Sequence, residues 1–199
     1  MLQTLGISKE AAAPMKAAIL ACYGEPGRAY HNLGHALRVW QDAKQYAWEE
    51  GVKDTGAVQM AALLHDVVYD TKRQDNEARS ADFAVHWGRT LGIPSATIGR
   101  AAEIILATQQ HGPTALAEIG LVLDADLAIL AAPPAEYEAY RSAIRQEYAW
   151  VTEADWTIGR GRVLSAFLDR EQIYHLPTLR NRLEAAAREN IARELSRLT

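Results

Sequence analysis

Apolar and polar positions recur at helical spacing along almost the whole chain, and no segment sustains the alternation of a half-buried strand. The good helix formers Ala, Leu, Glu, Arg and Gln dominate these stretches. The pattern predicts an all-α chain. Ser8 caps a first helix to about Cys22, where Gly24, Pro26 and Gly27 stop it. Further helices are expected over about 32–50, over about 55–69, and from Asp75 or Asn76 to near Gly92. Pro94 and Ser95 open a fifth, which reaches about Thr108 before HGPT breaks the chain. A short helix holds LVLDADLAIL and is ended by Pro133 and Pro134. Another covers AEYEAYRSAIRQEYAWV, and Thr152 caps one that runs to about Arg170. The last helix starts near Leu179. Its stripe of Leu183, Ala187, Ile191, Leu195 and Leu198 reads as a bundle wall, with Glu184–Arg188 and Glu189–Arg193 as i,i+4 pairs on its exposed sides.

Three places break this pattern with ionisable groups. In ALLHDVVYD, His65 and Asp66 stand side by side among residues that call for burial. An unpaired buried charge is very costly, and each of two neighbours would need its own partner. One divalent cation would satisfy both. Upstream, YHNLGHALRV carries His31 and His35. Asn32 is a good helix cap, which makes His35 the helix residue and the ligand, and leaves His31 just outside, where it contacts a ligand residue or the substrate. Downstream, Asp124 and Asp126 lie inside LVLDADLAIL, where Asp is unfavourable because its short side chain competes for backbone groups. Two positions apart on a helix they face different ways, so one looks into a site and the other caps or pairs elsewhere.

Composition narrows the setting. The 199 residues suit one domain, and with 49% hydrophobic and 23% charged residues they can bury a core without metal or disulfide staples. A metal here would therefore serve function. The net charge of −4 and the lack of any Lys/Arg stripe predict no nucleic-acid polymer and no acidic membrane as partner. The single cysteine, Cys22, excludes a disulfide framework and a Cys-rich zinc site, and is expected in the core. MLQTLGISKE is not a signal peptide, and no apolar run approaches the roughly 18 residues of a membrane span, so a cytoplasmic protein is expected. The five Trp are expected to be core residues and not a base-stacking platform.

The ordered set of His35 in HALRV, the doublet His65-Asp66 and Asp126 in ADL resembles the HD superfamily of metal-dependent phosphohydrolases. A small bacterial subgroup is resembled more widely, through YHNLGH, LLHDVVYD, NEARSA, ILATQQH, LDADLAIL, IRQEY and ARENIAREL, between residues 30 and 195. The resemblance implies a single multi-helix HD-domain bundle over residues 1–199, with a metal-site core at about 30–130 and C-terminal helices at about 134–199 packed on it. It implies a divalent ion (Mg, Mn, Fe, Co, Ni or Zn) on His35, His65, Asp66 and Asp126, with Asp66 and Glu77 catalytic and Glu77 assisting the water. The substrate would be a nucleotide or another small phosphorylated metabolite. Two imidazoles and two carboxylates do suit a borderline or hard divalent ion, which activates water for hydrolysis.

Substrate contacts are sought at His31, Lys72, Arg73, Arg79 and Arg145, the arginines because their forks match phosphate oxygens. His111 is a candidate phosphate donor or second-metal ligand, while His86 and His175 have no role assigned. There is no Gly-x-Ser-x-Gly elbow and no Gly-rich phosphate loop with Lys. The competing reading is a catalytically weak HD-fold protein that binds a nucleotide or metabolite. A third reading is oxygenase chemistry, since a few HD relatives use two irons; it would need more histidine and carboxylate ligands than these residues place, and iron content would decide it. Exposed apolar helix faces would permit a homodimer.

Overall fold

A computed structural model describes residues 7–53 and 55–198. Residues 1–6, which open the stretch read above as lacking a signal peptide, lie outside the described residues. The described residues form an all-helical domain: α1 (Lys9–Tyr23), α2 (Leu33–Glu49), α3 (Gly56–Leu64), α4 (Asn76–Thr90), α5 (Ser95–Ala107), α6 (Ala117–Leu127), α7 (Pro134–Glu147), α8 (Glu153–Leu168) and α9 (Pro177–Leu195). Among them, no helix is long and apolar enough to cross a membrane.

The two segments that are apolar all round become the centre. In α3, Ala57 through Ala62 and Leu64 are buried, and in α6 so are Ile119 through Ala125 and Leu127. A helix with no polar face must be surrounded. Accordingly α3 packs on α2, α4, α5 and α6, and α6 also packs on α2 and α5. Small residues help: Ala57, Ala61 and Ala62 let neighbouring axes approach. The same holds at Gly88, where a Cβ would lie 2.7 Å from Ile98 Cγ1. The C-terminal layer is tied on by α8 against α9 and by α9 against the short 3₁₀ turn Ala128–Ala131.

Several boundaries shift for identifiable reasons. Helix α3 ends at Leu64, with His65 as its C-cap, and does not continue to Tyr69. A buried helix end needs donors for its last carbonyls, and here tertiary donors supply them. Tyr23 donates to Leu63 O at 2.8 Å. The Arg28 guanidinium, 3% exposed, donates to Asp66 O at 2.7 Å, Val67 O at 3.0 Å and His31 O at 3.2 Å. Ser80 exchanges hydrogen bonds with Val68. Pro134 opens α7 at its first position, where its missing N–H costs nothing, instead of only closing the helix before it. Pro177 does the same for α9, two residues ahead of the expected start. Helix α7 stops at Glu147, and Arg145 reaches forward past that end to the carbonyls of Tyr148 and Val151.

Ser8, Asn32 and Thr152 cap as expected, each accepting a backbone N–H. The exposed sides expected of α9 are only partly so. Glu194 is buried against Arg160 and Tyr137, and Asn190 Nδ2 donates to Leu130 O and Ala132 O. Two tryptophans depart from the core expectation: Trp48 is 81% and Trp150 54% exposed.

Replacing Arg28 by Met should therefore cost about 2–4 kcal/mol of stability, because buried carbonyls lose their donors. Denaturant unfolding of the variant checks this, and a loss below about 1 kcal/mol would show that the helix end does not depend on Arg28.

Candidate metal centre

Three helix ends meet at one point. Asn32 Oδ1 accepts from Gly34 N and His35 N, which fixes His35 in the first turn of α2. His65 and Asp66 follow the last turn of α3, and Asp126 sits in the last turn of α6. The carbonyl ends of two helices carry negative partial charge, which favours a cation between them. His35, His65 and Asp126 present ligand atoms within 4.8 Å of one another.

The individual distances are tighter. The Nε2 atoms of His35 and His65 are 3.1 Å apart. Asp66 Oδ2 lies 3.0 Å from His65 Nε2 and 3.4 Å from His35 Nε2. Asp126 Oδ1 lies 3.1 Å from His35 Nε2 and 3.5 Å from His65 Nε2. Donors bound at about 2.0–2.2 Å around one divalent ion are spaced like this.

The protonation logic agrees. His65 Nδ1 faces Ala62 O at 3.0 Å, and a carbonyl only accepts, so Nδ1 carries a hydrogen and Nε2 is the nitrogen turned to the cluster, where it holds either a proton or a cation. Burial alone would lower the pKa of both histidines. The facing carboxylates of Asp66 and Asp126 outweigh it, and both values are raised, that of His65 strongly. Burial would likewise raise the two Asp, but the imidazoles hold both below the usual carboxylate range. The cluster demands positive charge, as protons or as a cation, and two imidazoles with two carboxylates fit a divalent cation.

Neighbouring side chains support this point. His111 Nε2 is 2.9 Å from Asp126 Oδ2, so the structure puts it on a cluster carboxylate. Its backbone is left-handed, with φ 47°, a conformation that costs a non-glycine residue about 1–2 kcal/mol. Ala107 O accepts from its N–H, and Arg170 donates to its carbonyl at 2.7 Å. His31 Nδ1 lies 2.6 Å from buried Glu147 Oε2, and its ring stacks on Tyr69 at 4.0 Å. Glu147 also accepts from the backbone N–H of Tyr30 and His31. Burial opposes ionisation of Glu147, yet the His31 contacts keep its pKa low.

The cluster opens into a cleft of about 970 Å³ lined by His31, Asp66, Arg73, Glu77, His111 and Asp126 among others. Of the proposed substrate contacts, His31, Arg73 and His111 reach this cleft, as does Glu77. Lys72, Arg79 and Arg145 are placed outside its lining. Lys72 lies over the Trp150 ring at 5.5 Å, Arg79 pairs with Asp75 at 2.9 Å, and Arg145 holds Glu153 and two carbonyls. Arg73 itself forks onto Asp75, with both bonds at 2.7 Å. Sequence reasoning missed Arg28, Glu147, Arg160 and Arg170. An Arg or Glu on a polar helix face looks solvated until its partner is known.

Asp124 resolves the question of the two aspartates. It is fully buried, faces away from the cluster, and accepts from His175 N, His175 Nδ1 and Leu176 N at 2.8–2.9 Å. His175, to which the sequence assigned no role, pairs with Asp124 by one nitrogen and with Gly112 O by the other at 2.9 Å. Two acceptors require two donors, so the imidazolium fits best. Its pKa is raised, chiefly by the bond to Asp124.

An all-helical domain whose helix ends gather two imidazoles and two carboxylates beside an open cleft is a recognisable class of metal-site protein. The HD domain family model matches residues 32–156, which contain all four cluster residues and more than half of the chain, and the chain belongs to that family. Comparison with curated proteins and with solved structures returns no match.

The two aspartates should separate cleanly. Asp126→Asn should weaken divalent-metal binding beyond the roughly 10–100-fold typical of losing an outer partner, with little change in melting temperature. Asp124→Asn should lower stability by about 2–4 kcal/mol with metal affinity kept once folded. Calorimetric metal titration and thermal melts read the two effects, and the reverse pattern would reject the assignment.

His175 should also give a signed pH dependence. A folded pKa above about 6.5 means its contribution is fully present below that pH and is lost as pH rises through the raised value. The melting-temperature gap between wild type and His175→Gln should be wider at about pH 6 than at about pH 9. A gap that widens with pH would contradict the imidazolium.

Proposed function

We propose that the protein is a metal-dependent phosphohydrolase that cleaves a phosphate ester of a nucleotide or another small metabolite. The observation that carries this reading is the convergence of His35, His65, Asp66 and Asp126 beside one open cleft. Membership of the HD domain family supports it. His35 Nε2, His65 Nε2 and one oxygen from each Asp would hold the ion. When bound, a divalent cation lowers the pKa of water and neutralises charge on a phosphoryl oxygen.

The chain's own groups supply the remainder. Glu77, on the first turn of α4 and facing the same cleft, orients the attacking water and accepts its proton. Asp66 fixes the two imidazoles. His111 fixes the second oxygen of Asp126, so that carboxylate cannot rotate away. Glu147 holds His31 Nδ1, which leaves Nε2 as the His31 nitrogen for a phosphate oxygen. Arg73, at the cleft rim, can swing from the exposed Asp75 to phosphate, since a solvent-exposed ion pair is worth only about 0–1 kcal/mol.

The test is hydrolysis of a panel of phosphate esters by the purified protein with each of several divalent metals. Activity with at least one metal is expected. Asp66→Ala should remove it by at least about 100-fold and Glu77→Gln by about 10²–10⁴-fold, the usual range for a positioned acid or base. Hydrolysis that survives Asp66→Ala would belong to another site or a contaminant and would overturn the reading.

A further inference from the structure

Helix α8 turns one apolar face to the cleft, on which Trp156 and Phe167 are also packed against protein while Gly159 and Val163 are open. Trp156, Gly159, Val163 and Phe167 are spaced by three and four, so they share a face, and all four line the cavity that also reaches Asp66 and Asp126. Val163 is 50% exposed there. At Gly159 a Cβ would meet nothing within 4 Å, so open space lies directly in front of the helix. The helix is fastened from behind, on α9. Tyr140 and Ile144 of α7, with Tyr148 just beyond its end, add further ring and aliphatic surface to the same cavity.

Size and charge limit the occupant. About 970 Å³ is the scale that houses a whole drug-sized ligand, far more than one phosphate needs. The arginines on the α8 side of the lining are engaged. Arg160 is buried on Glu194 and Arg170 donates to Gln110 O and His111 O, whereas Arg73, at the rim, pairs with exposed Asp75 and stays available to the phosphate. Asp155 is also on the lining. Arg170 also lies over the Phe167 ring at 4.6 Å and Arg145 over the Trp156 ring at 5.2 Å, so the guanidinium groups beside the α8 wall are already committed, and the positive charge left for a phosphoryl group is that of a cation at the cluster, with Arg73 at the rim.

The geometry points to a phosphate monoester of a bulky apolar alcohol, with an aryl group as the best fit. Its leaving group rests on the Trp156–Phe167 face of α8 while its phosphate sits at the His35, His65, Asp66 and Asp126 cluster. This deepens the phosphohydrolase reading and rests on it for the position of the phosphate. The α8 wall acts as the specificity surface, and Gly159 provides the room for the ring.

The test is calorimetric titration of the manganese-loaded protein with two non-hydrolysable probes, 1-naphthylmethylphosphonate and methylphosphonate. The aryl probe should bind at least about tenfold more tightly, as expected from burying a ring's apolar surface. Gly159→Leu should remove most of that advantage and leave methylphosphonate unchanged. Leucine is favoured over glycine in a helix and meets open space here, so the fold should tolerate it, and an unchanged thermal melt checks this. Val163→Asn, at an exposed position, should reduce the same advantage severalfold. Equal affinity for the two probes, no measurable aryl binding, or a preference that both variants leave intact would overturn the inference. An aryl preference without turnover of any ester would support the α8 wall and reject the hydrolase. Turnover of esters without aryl preference would do the opposite.

Discussion

Two imidazole nitrogens 3.1 Å apart, each facing an oxygen of both Asp66 and Asp126 at 3.0–3.5 Å, make an arrangement that cannot stand without positive charge. The raised histidine values express that demand, and the lowered aspartate values show the carboxylates staying ionised beside the imidazoles. A divalent cation meets it with one centre. The surrounding structure keeps the four groups from relaxing apart. Asn32 caps α2 beneath His35, Ala62 O fixes the ring of His65, Arg28 holds the turn that carries Asp66, and His111 holds Asp126.

The packing explains why so much of the support comes from backbone carbonyls and buried ions. Helices α3 and α6 are surrounded, so their ends terminate inside protein, and their last carbonyls need donors that water cannot supply. Arg28 closes the end of α3. Asp124, two residues before Asp126 in α6, instead ties the backbone of His175 and Leu176 to the core. The left-handed His111 is part of the same economy of contacts. Arg170 and the end of α5 hold it where its ring reaches Asp126. The same chain of contacts links the cluster to α8, one face of which lines the cleft.

The helical class, most helix starts and the polar breaks at His35, His65-Asp66 and Asp124/Asp126 were readable in the sequence, because each depends on neighbours along the chain. Asn32 capped α2 as expected, and the two-residue spacing of Asp124 and Asp126 sent them to opposite sides. The end of α3 was not readable. Its position follows from Arg28 and Ser80, far away in the chain, taking over carbonyls that a longer helix would have used itself.

By itself the sequence determined which groups demanded a partner, since the cost of burying a charge is local to the residue that carries it. Only the tertiary structure decided which partner each one met. It gave Glu147 to His31, Arg160 to Glu194 and His175 to Asp124, and it turned Arg79 and Arg145 to other carboxylates and carbonyls outside the cleft. The strength of a charge contact depends on distance and on the exclusion of water, and both are set by how helices distant in sequence come to lie side by side.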